Sequence, residues 1–280
     1  MAVAIVTDTC HYLPKELLAQ HRISEVSLYV HRNGIAQREA EITDYNGYYN
    51  ALAEAKQLPT TSQPSVGDFL EVYEPLLRDH DEVVSVHLAG GMSGTVSAAQ
   101  QAAEQLEGRV HVLDSASACG GEALVVLAAA AAARDGADGA AVIAKAKEAR
   151  AELSLWFAIE TLEFLRRGGR IAGAQAWLGS ALQIKPILTV EDEITPIERV
   201  RTSKRAFERM VDLLRGCKRG GRDGWVVQHI QAPDQAQELV RRGREIFGTE
   251  PTFVSEVGPV IGTHVGPGLL GAGGVPSSFL

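Results

Sequence analysis

The sequence predicts an α/β protein made of two α/β domains, the first with a mostly parallel sheet flanked by helices, the second with a mixed sheet and helices. Three observations carry that prediction. Short β-type runs alternate with helical patterns through the first half, an order that parallel strands and their crossovers require. In the second half, runs at 187–190 and 194–200 flank Glu191-Asp192-Glu193 as a hairpin does. The composition is that of a globular chain: 280 residues, 45% apolar and 22% charged, enough for two buried cores.

In the first half, residues 3–6 read as a buried strand and 13–20 as a helix with Pro14 near its start. Residues 26–30 read as a second strand. Thr43-Asp44 caps a helix that runs to about Ala55, and Leu58-Pro59 ends it. Thr60-Thr61-Ser62-Gln63-Pro64 reads as a loop. Ser65-Val66-Gly67-Asp68 has the spacing of a capping box, with Asp for Glu, and opens a helix to about Leu77. Residues 82–88 form a buried strand, followed by Ala89-Gly90-Gly91-Met92-Ser93-Gly94-Thr95 and a helix of small residues to about Leu106. A strand at 109–113 closes on Asp114-Ser115. Two Ala-rich helices follow, at about 119–134 and 137–152.

In the second half, 154–159 is a strand and 162–167 a short helix stopped by Gly168-Gly169-Arg170-Ile171. After the hairpin come a helix at 203–214, a strand at 225–230, a helix at 233–246 and a strand at 252–256. The change in pattern places the domain boundary at 153, giving domains 1–153 and 154–280. No internal repeat or low-complexity linker interrupts the chain.

Twenty-seven Lys+Arg against 35 Asp+Glu leave a net charge of −8, which argues against a nucleic-acid binder. Cys10, Cys119 and Cys217 are odd in number and far apart, so neither a disulfide framework nor a structural zinc site is expected. The histidines have no ligand spacing, and no metal site is expected. The N-terminus turns polar within a few residues and has no basic stretch, unlike a signal peptide. The longest apolar run, Ala123 to Ala133, is too short to span a bilayer. A soluble, cytoplasmic protein in a reducing compartment is expected, with transient membrane contact left open.

Several stretches could carry chemistry. Gly90-Gly91-Met92-Ser93-Gly94-Thr95 lies between a strand and a helix, where backbone N–H groups and the helix dipole can meet a carboxylate or phosphate. The competing reading is a simple cap and turn. It is neither a P-loop nor a GxGxxG motif, and Ser93 is not in a nucleophile elbow. The hydroxyls of Thr60 to Ser62 and the Gln63 amide can hold a carboxylate or simply satisfy their own loop. Gly258 to Gly268 holds four glycines and two prolines around Thr263 and His264, a rigid loop able to aim an imidazole. Thr7-Asp8-Thr9 and Asp114-Ser115 close strands at the edge where ligands bind in such sheets, or cap the next segment. Arg166, Arg167 and Arg170 surround a Gly-Gly stop, and Arg199, Arg201, Lys204 and Arg205 form a second basic cluster.

Taken in order, Thr7-Asp8-Thr9 with Leu13-Pro14, Thr61-Ser62-Gln63-Pro64-Ser65, Ser93-Gly94-Thr95, Asp114-Ser115, Leu162-Glu163-Phe164-Leu165 with Gly168-Gly169-Arg170-Ile171, Lys185-Pro186-Ile187-Leu188, and Gly258 to Gly268 resemble the DegV family of bacterial fatty-acid-binding proteins. Cys10-His11 departs from the small or hydroxyl residues expected there. The tail from Leu270 to Leu280 has no assigned role. The resemblance implies a long-chain fatty acid in an apolar tunnel between the domains, and no cofactor. It also implies a non-catalytic, lipid-binding subunit of a fatty acid kinase. A separate ATP-binding partner phosphorylates the bound carboxylate. The acyl phosphate then passes to an acyltransferase at the membrane for phospholipid synthesis. By motif match Thr61, Ser93, Gly94 and His264 hold the carboxylate. Arg170 and Arg201 lie near the head group or the partner surface.

Three rivals compete with that assignment. One is a small-molecule hydrolase using Ser93 with His264, which needs a third group to orient the imidazole. Another is a binder of a small polar hydroxyketone. The third, a dinucleotide oxidoreductase, lacks a fingerprint.

Overall fold

Thirteen strands and ten α-helices account for most of residues 2–178 and 184–280, which the computed structural model describes. The chain opens with β1 (Val3–Asp8), α1 (Lys15–His21) and β2 (Ile23–Val26). It leaves that sheet for β3 (Tyr29–Arg32) and β4 (Ile35–Arg38), then forms α2 (Tyr45–Glu54), β5 (Thr60–Ser62), α3 (Val66–Asp79), β6 (Glu82–His87) and α4 (Thr95–Ala103). β7 (Val110–Asp114), α5 (Gly120–Arg134) and α6 (Gly139–Glu152) follow. The first sheet has the order β2-β1-β6-β7 with every pair parallel, as expected. Asp44 caps α2 through Gly47 N–H, and Ser65 with Asp68 forms the full capping box on α3, each cap worth about 1 kcal/mol.

The expected strand at 26–30 is two strands in two sheets. Ser27 and Leu28 carry the chain between them, and their polar groups are satisfied off the ladder. Ser27 Oγ donates to Leu28 O at 2.9 Å, and Leu28 N donates to Thr9 Oγ1 at 3.3 Å. Hydrophobicity alone does not reveal such a switch, because both halves of the run are apolar. The expected loop at 60–64 likewise contains a strand: β5 pairs with β3, and β4 completes an antiparallel sheet of order β4-β3-β5. Asn33 and Gly34, both at positive φ, form the tight turn that makes the β3–β4 hairpin.

The remaining elements are β8 (Ser154–Ala158), α7 (Glu163–Arg167), β9 (Lys185–Glu191), β10 (Glu193–Val200), α8 (Ser203–Arg219), β11 (Gly224–His229), α9 (Pro233–Phe247), β12 (Phe253–Glu256), α10 (Pro259–Val265) and β13 (Leu270–Val275). They build a mixed six-stranded sheet, β10-β9-β8-β13-β11-β12. Two expectations are corrected here. The stretch 258–268 is not a rigid loop throughout: Pro259 starts a helix at the position where its missing N–H costs nothing, and Gly266 ends it. The tail from Leu270 is not an appendage but the strand between β8 and β11, antiparallel to both.

α5 explains the long apolar run. It packs on β1 and β6 of the first sheet and on β13 and β11 of the mixed sheet, so Ala123 to Ala130 are buried all round. A second core joins Tyr12, Leu28, Tyr49 and Leu88 to Phe157, Ile194, Val260 and Ile261. The cavity described next lies in that core. Among the described residues no helix is long and apolar enough to cross a membrane.

Candidate functional site

Ser93 follows β6 in a loop whose backbone is tied down. The N–H groups of Ala89, Gly90, Gly91 and Met92 donate to Ser117 O, Asp114 Oδ2, Asp192 Oδ1 and Ala89 O, at 2.7 to 3.0 Å. The expectation that this loop aims its N–H groups at solvent is therefore corrected for these four. What it offers a ligand is the Ser93 hydroxyl, 2.8 Å from Thr95 Oγ1. Gly94 is the N-cap of α4 and lies under the Gln63 amide, which leaves no room for a β-carbon.

Asp8 and Asp114 are braces rather than ligand groups. Asp114 fixes Gly90 and Ala116, while buried Asp8 accepts from Cys10 N and Leu88 N and pairs with His87. Burial pushes the Asp8 carboxyl up, but His87 and the two backbone N–H groups outweigh it and the net shift is downward.

Thr61 stands on β5 and His264 in the last turn of α10. The Thr61 hydroxyl and His264 Nε2 lie 2.7 Å apart. Burial first, then the nearby Arg170 charge, lowers the His264 pKa from 6.5 to about 4, so the ring is neutral at pH 7. Its Nδ1 is buried and has no hydrogen-bond partner among the described residues. Gly168 makes space for the ring, since a β-carbon there would overlap Nδ1. Arg170 donates to Gly168 O at 2.9 Å and to Met92 O at 3.4 Å. Among the described residues no carboxylate pairs with it.

Thr61, Ser93, Arg170 and His264 share the wall of one cavity of about 150 Å³, with Leu28, Leu88, Leu165 and Val260. Gln63, also foreseen as a polar group, lines it too. An apolar cavity of about 40 Å³ adjoins it, lined by Ala118, Phe157, Val190, Ile194, Leu269 and others. Met92, Ile261 and Val265 belong to both walls, so the polar chamber and the apolar one are neighbours with a shared side. The apolar lining was not singled out from the sequence, because nothing marks these residues off from ordinary core. Arg201 is not part of either wall; it is exposed at the end of β10. Three larger clefts, of about 290, 480 and 490 Å³, lie elsewhere and touch none of Thr61, Ser93 and His264.

Ser93 and His264 do not form a nucleophile–base pair: no hydrogen bond joins them, and no group orients His264 through Nδ1 among the described residues. The aspartate–histidine–serine chain present in the fold is Asp8–His87–Ser85, and all three are fully buried. No cluster of three or more metal-ligating side chains occurs among the described residues.

α10 is fastened from several sides. Glu39 accepts from Val260 N at 2.7 Å, from Thr9 Oγ1 at 2.6 Å and from Tyr12 OH at 2.9 Å. Tyr48 OH lies 2.5 Å from Thr263 Oγ1. Burial raises the Glu39 pKa to about 7 against these hydrogen bonds.

Residues 2–277 match the family model described as "Uncharacterised protein, DegV family COG1307". The chain belongs to the DegV family. A DegV domain-containing protein of Streptomyces coelicolor is 38% identical over 272 residues, 96% of each chain. A DegV-family protein of Thermus thermophilus, whose structure is described as showing fatty acid binding, superposes with a TM-score of 0.89 at 35% identity, covering 98% of this chain and 99% of that one. DegV of Bacillus subtilis, described as a fatty acid binding protein, gives 0.88 at 33% identity, covering 98% of each chain. These DegV structures share the α/β architecture, with a parallel sheet and a mixed sheet among helices, that the sequence predicts.

Proposed function

We propose that this DegV-family chain binds a long-chain fatty acid, with the carboxylate at Thr61, Ser93 and His264 and the tail in the apolar chamber between an N-terminal domain, 1–153, and a C-terminal domain, 154–280. The observation that carries this reading is the polar chamber set directly beside the apolar one, the two sharing Met92, Ile261 and Val265. A polar end lined by hydroxyls, an imidazole and a guanidinium, beside a chamber lined mainly by apolar side chains, suits an amphipathic acid. About 14 methylenes gain roughly 11 kcal/mol on burial, and ordering the chain consumes much of it. The tail then supplies affinity, and the head contacts supply geometry. The fatty acids named in the descriptions of the Thermus and Bacillus relatives support the same assignment.

The finer proposal is that the chain acts without catalytic residues of its own. It presents the carboxylate to a separate ATP-dependent kinase and carries the acyl phosphate to an acyltransferase for phospholipid synthesis. Phosphorylation replaces one carboxylate charge by a larger anion. Arg170, on the cavity wall and with no carboxylate partner among the described residues, is the candidate to meet that added charge. Exposed Arg201 is a candidate for the partner surface. The hydrolase alternative loses ground because Ser93 and His264 lack the hydrogen bond it needs. The hydroxyketone alternative does not use the apolar chamber.

The test is a titration with a fluorescent long-chain fatty acid, then competition by unlabelled fatty acid and by a short hydroxyketone. Saturable binding displaced only by the fatty acid is expected. Displacement by the hydroxyketone alone, or hydrolysis of an ester probe that Ser93→Ala abolishes, overturns the proposal.

A further inference from the structure

β13 carries three glycines, and two of them are demanded by packing. A β-carbon on Gly273 would overlap Ser154 O, and one on Gly274 would sit 2.9 Å from Gly224 O. Gly271 differs. Its φ is not positive, and a β-carbon there would meet nothing nearer than 3.7 Å, an ordinary contact. Neither backbone conformation nor steric crowding requires a glycine at this position.

Gly271 faces the apolar chamber. It lines that cavity, while its neighbours Leu270 and Ala272 point to the other face and pack with the α8–α9 core. Its partners across the ladder are Phe157 on β8 and Gln228 on β11, and both line the same chamber. The missing side chain leaves a trough between them, floored by backbone.

We propose that Gly271 sets the depth of the apolar chamber and with it the length of acyl chain the protein accepts. This rests on the fatty-acid reading above. A larger side chain at 271 rises from the floor of the trough into the space the distal methylenes occupy. Each methylene denied its place costs about fourfold in affinity, so a leucine that displaces about three costs a long chain roughly sixtyfold. A chain short enough to stop before the trough loses little.

The experiment is competition between dodecanoate and octadecanoate for wild type, Gly271→Ala and Gly271→Leu, read by native mass spectrometry. Wild type is expected to prefer octadecanoate. Gly271→Leu shifts the preference toward dodecanoate by at least tenfold, and Gly271→Ala shifts it less in the same direction. If the leucine variant does not fold, Gly271→Val takes its place with an intermediate shift. An unchanged preference in a folded variant, or an equal loss of both acids, overturns the assignment of Gly271 while leaving fatty acid binding intact. A wild type that binds neither acid contradicts the fatty-acid reading itself.

Discussion

Thr61 Oγ1 and His264 Nε2 lie 2.7 Å apart although 203 residues separate them, tying the short edge strand β5 to α10, the helix between strands β12 and β13 of the mixed sheet. Both residues line the polar chamber, and the contact leaves two neutral groups where a carboxylate is proposed to sit. Removing the hydroxyl by Thr61→Val, or the other head contact by Ser93→Ala, costs a hydrogen bond worth about 0.5–1.5 kcal/mol net. Retention of fatty acid is expected to fall by about tenfold or less. Phosphorylation by the proposed kinase partner is expected to fall much further, because it depends on geometry. Retention and phosphorylation measured side by side check this, and a parallel loss contradicts the division of labour.

The His264 ring should stay neutral over most of the accessible pH range. Its folded pKa is lowered from 6.5 to about 4, so between those values the unfolded chain binds the extra proton. Stability from this group is present above pH 6.5 and is lost as pH falls toward 4. Histidine proton shifts followed by NMR in the fatty-acid-free protein should show His264 unchanged down to about pH 5. A midpoint near 6.5 would place the ring in water.

Glu39 works with the opposite sign. Its folded pKa rises from 4.5 to about 7, so the folded state holds a proton that the unfolded chain has released. Stability falls as pH rises from 4.5 through 7, by about 3 kcal/mol over that window. Glu39→Gln keeps an acceptor for Val260 N and cannot titrate. Urea unfolding at pH 5 and pH 8 should show a smaller difference in the variant than in wild type. Equal differences contradict the assignment.

Gly168→Ala tests the space reserved for the imidazole. The added carbon would overlap His264 Nδ1 and lie 3.1 Å from Phe164 O. The variant should fold, with the ring displaced and its bond to Thr61 broken. The His264 midpoint then moves up toward 6.5 as the ring regains water, and phosphorylation by the proposed kinase partner falls more than tenfold. A variant with the wild-type midpoint shows that the pocket yields elsewhere.

Local signals were legible where they act locally. Asp44 and the Ser65–Asp68 pair cap the helices the sequence assigns to them, since a cap depends on residues three apart. Thr61, Ser93, Arg170 and His264 were found as motif residues, and the fold brings all four to one wall. Arg201 stays outside it. β13 escaped because glycine is a poor strand former, and the reason for Gly273 and Gly274 lies in strands that start far back in the chain. α10 escaped because Gly258, Gly262 and Gly266 read as loop, whereas Gly258 and Gly262 make way for Tyr12 and Tyr49. Leu28, Met92 and Ile261 look like any core residue until the cavity is seen.

The central claim is that the two chambers together hold one fatty acid. Native mass spectrometry of the purified protein, followed by denaturation and identification of the released lipid, tests it most directly. One long-chain fatty acid per chain, diminished in a variant that plugs the chamber at Gly271, is the predicted result. A protein that carries none, and takes up none when long-chain fatty acids are supplied, would contradict it.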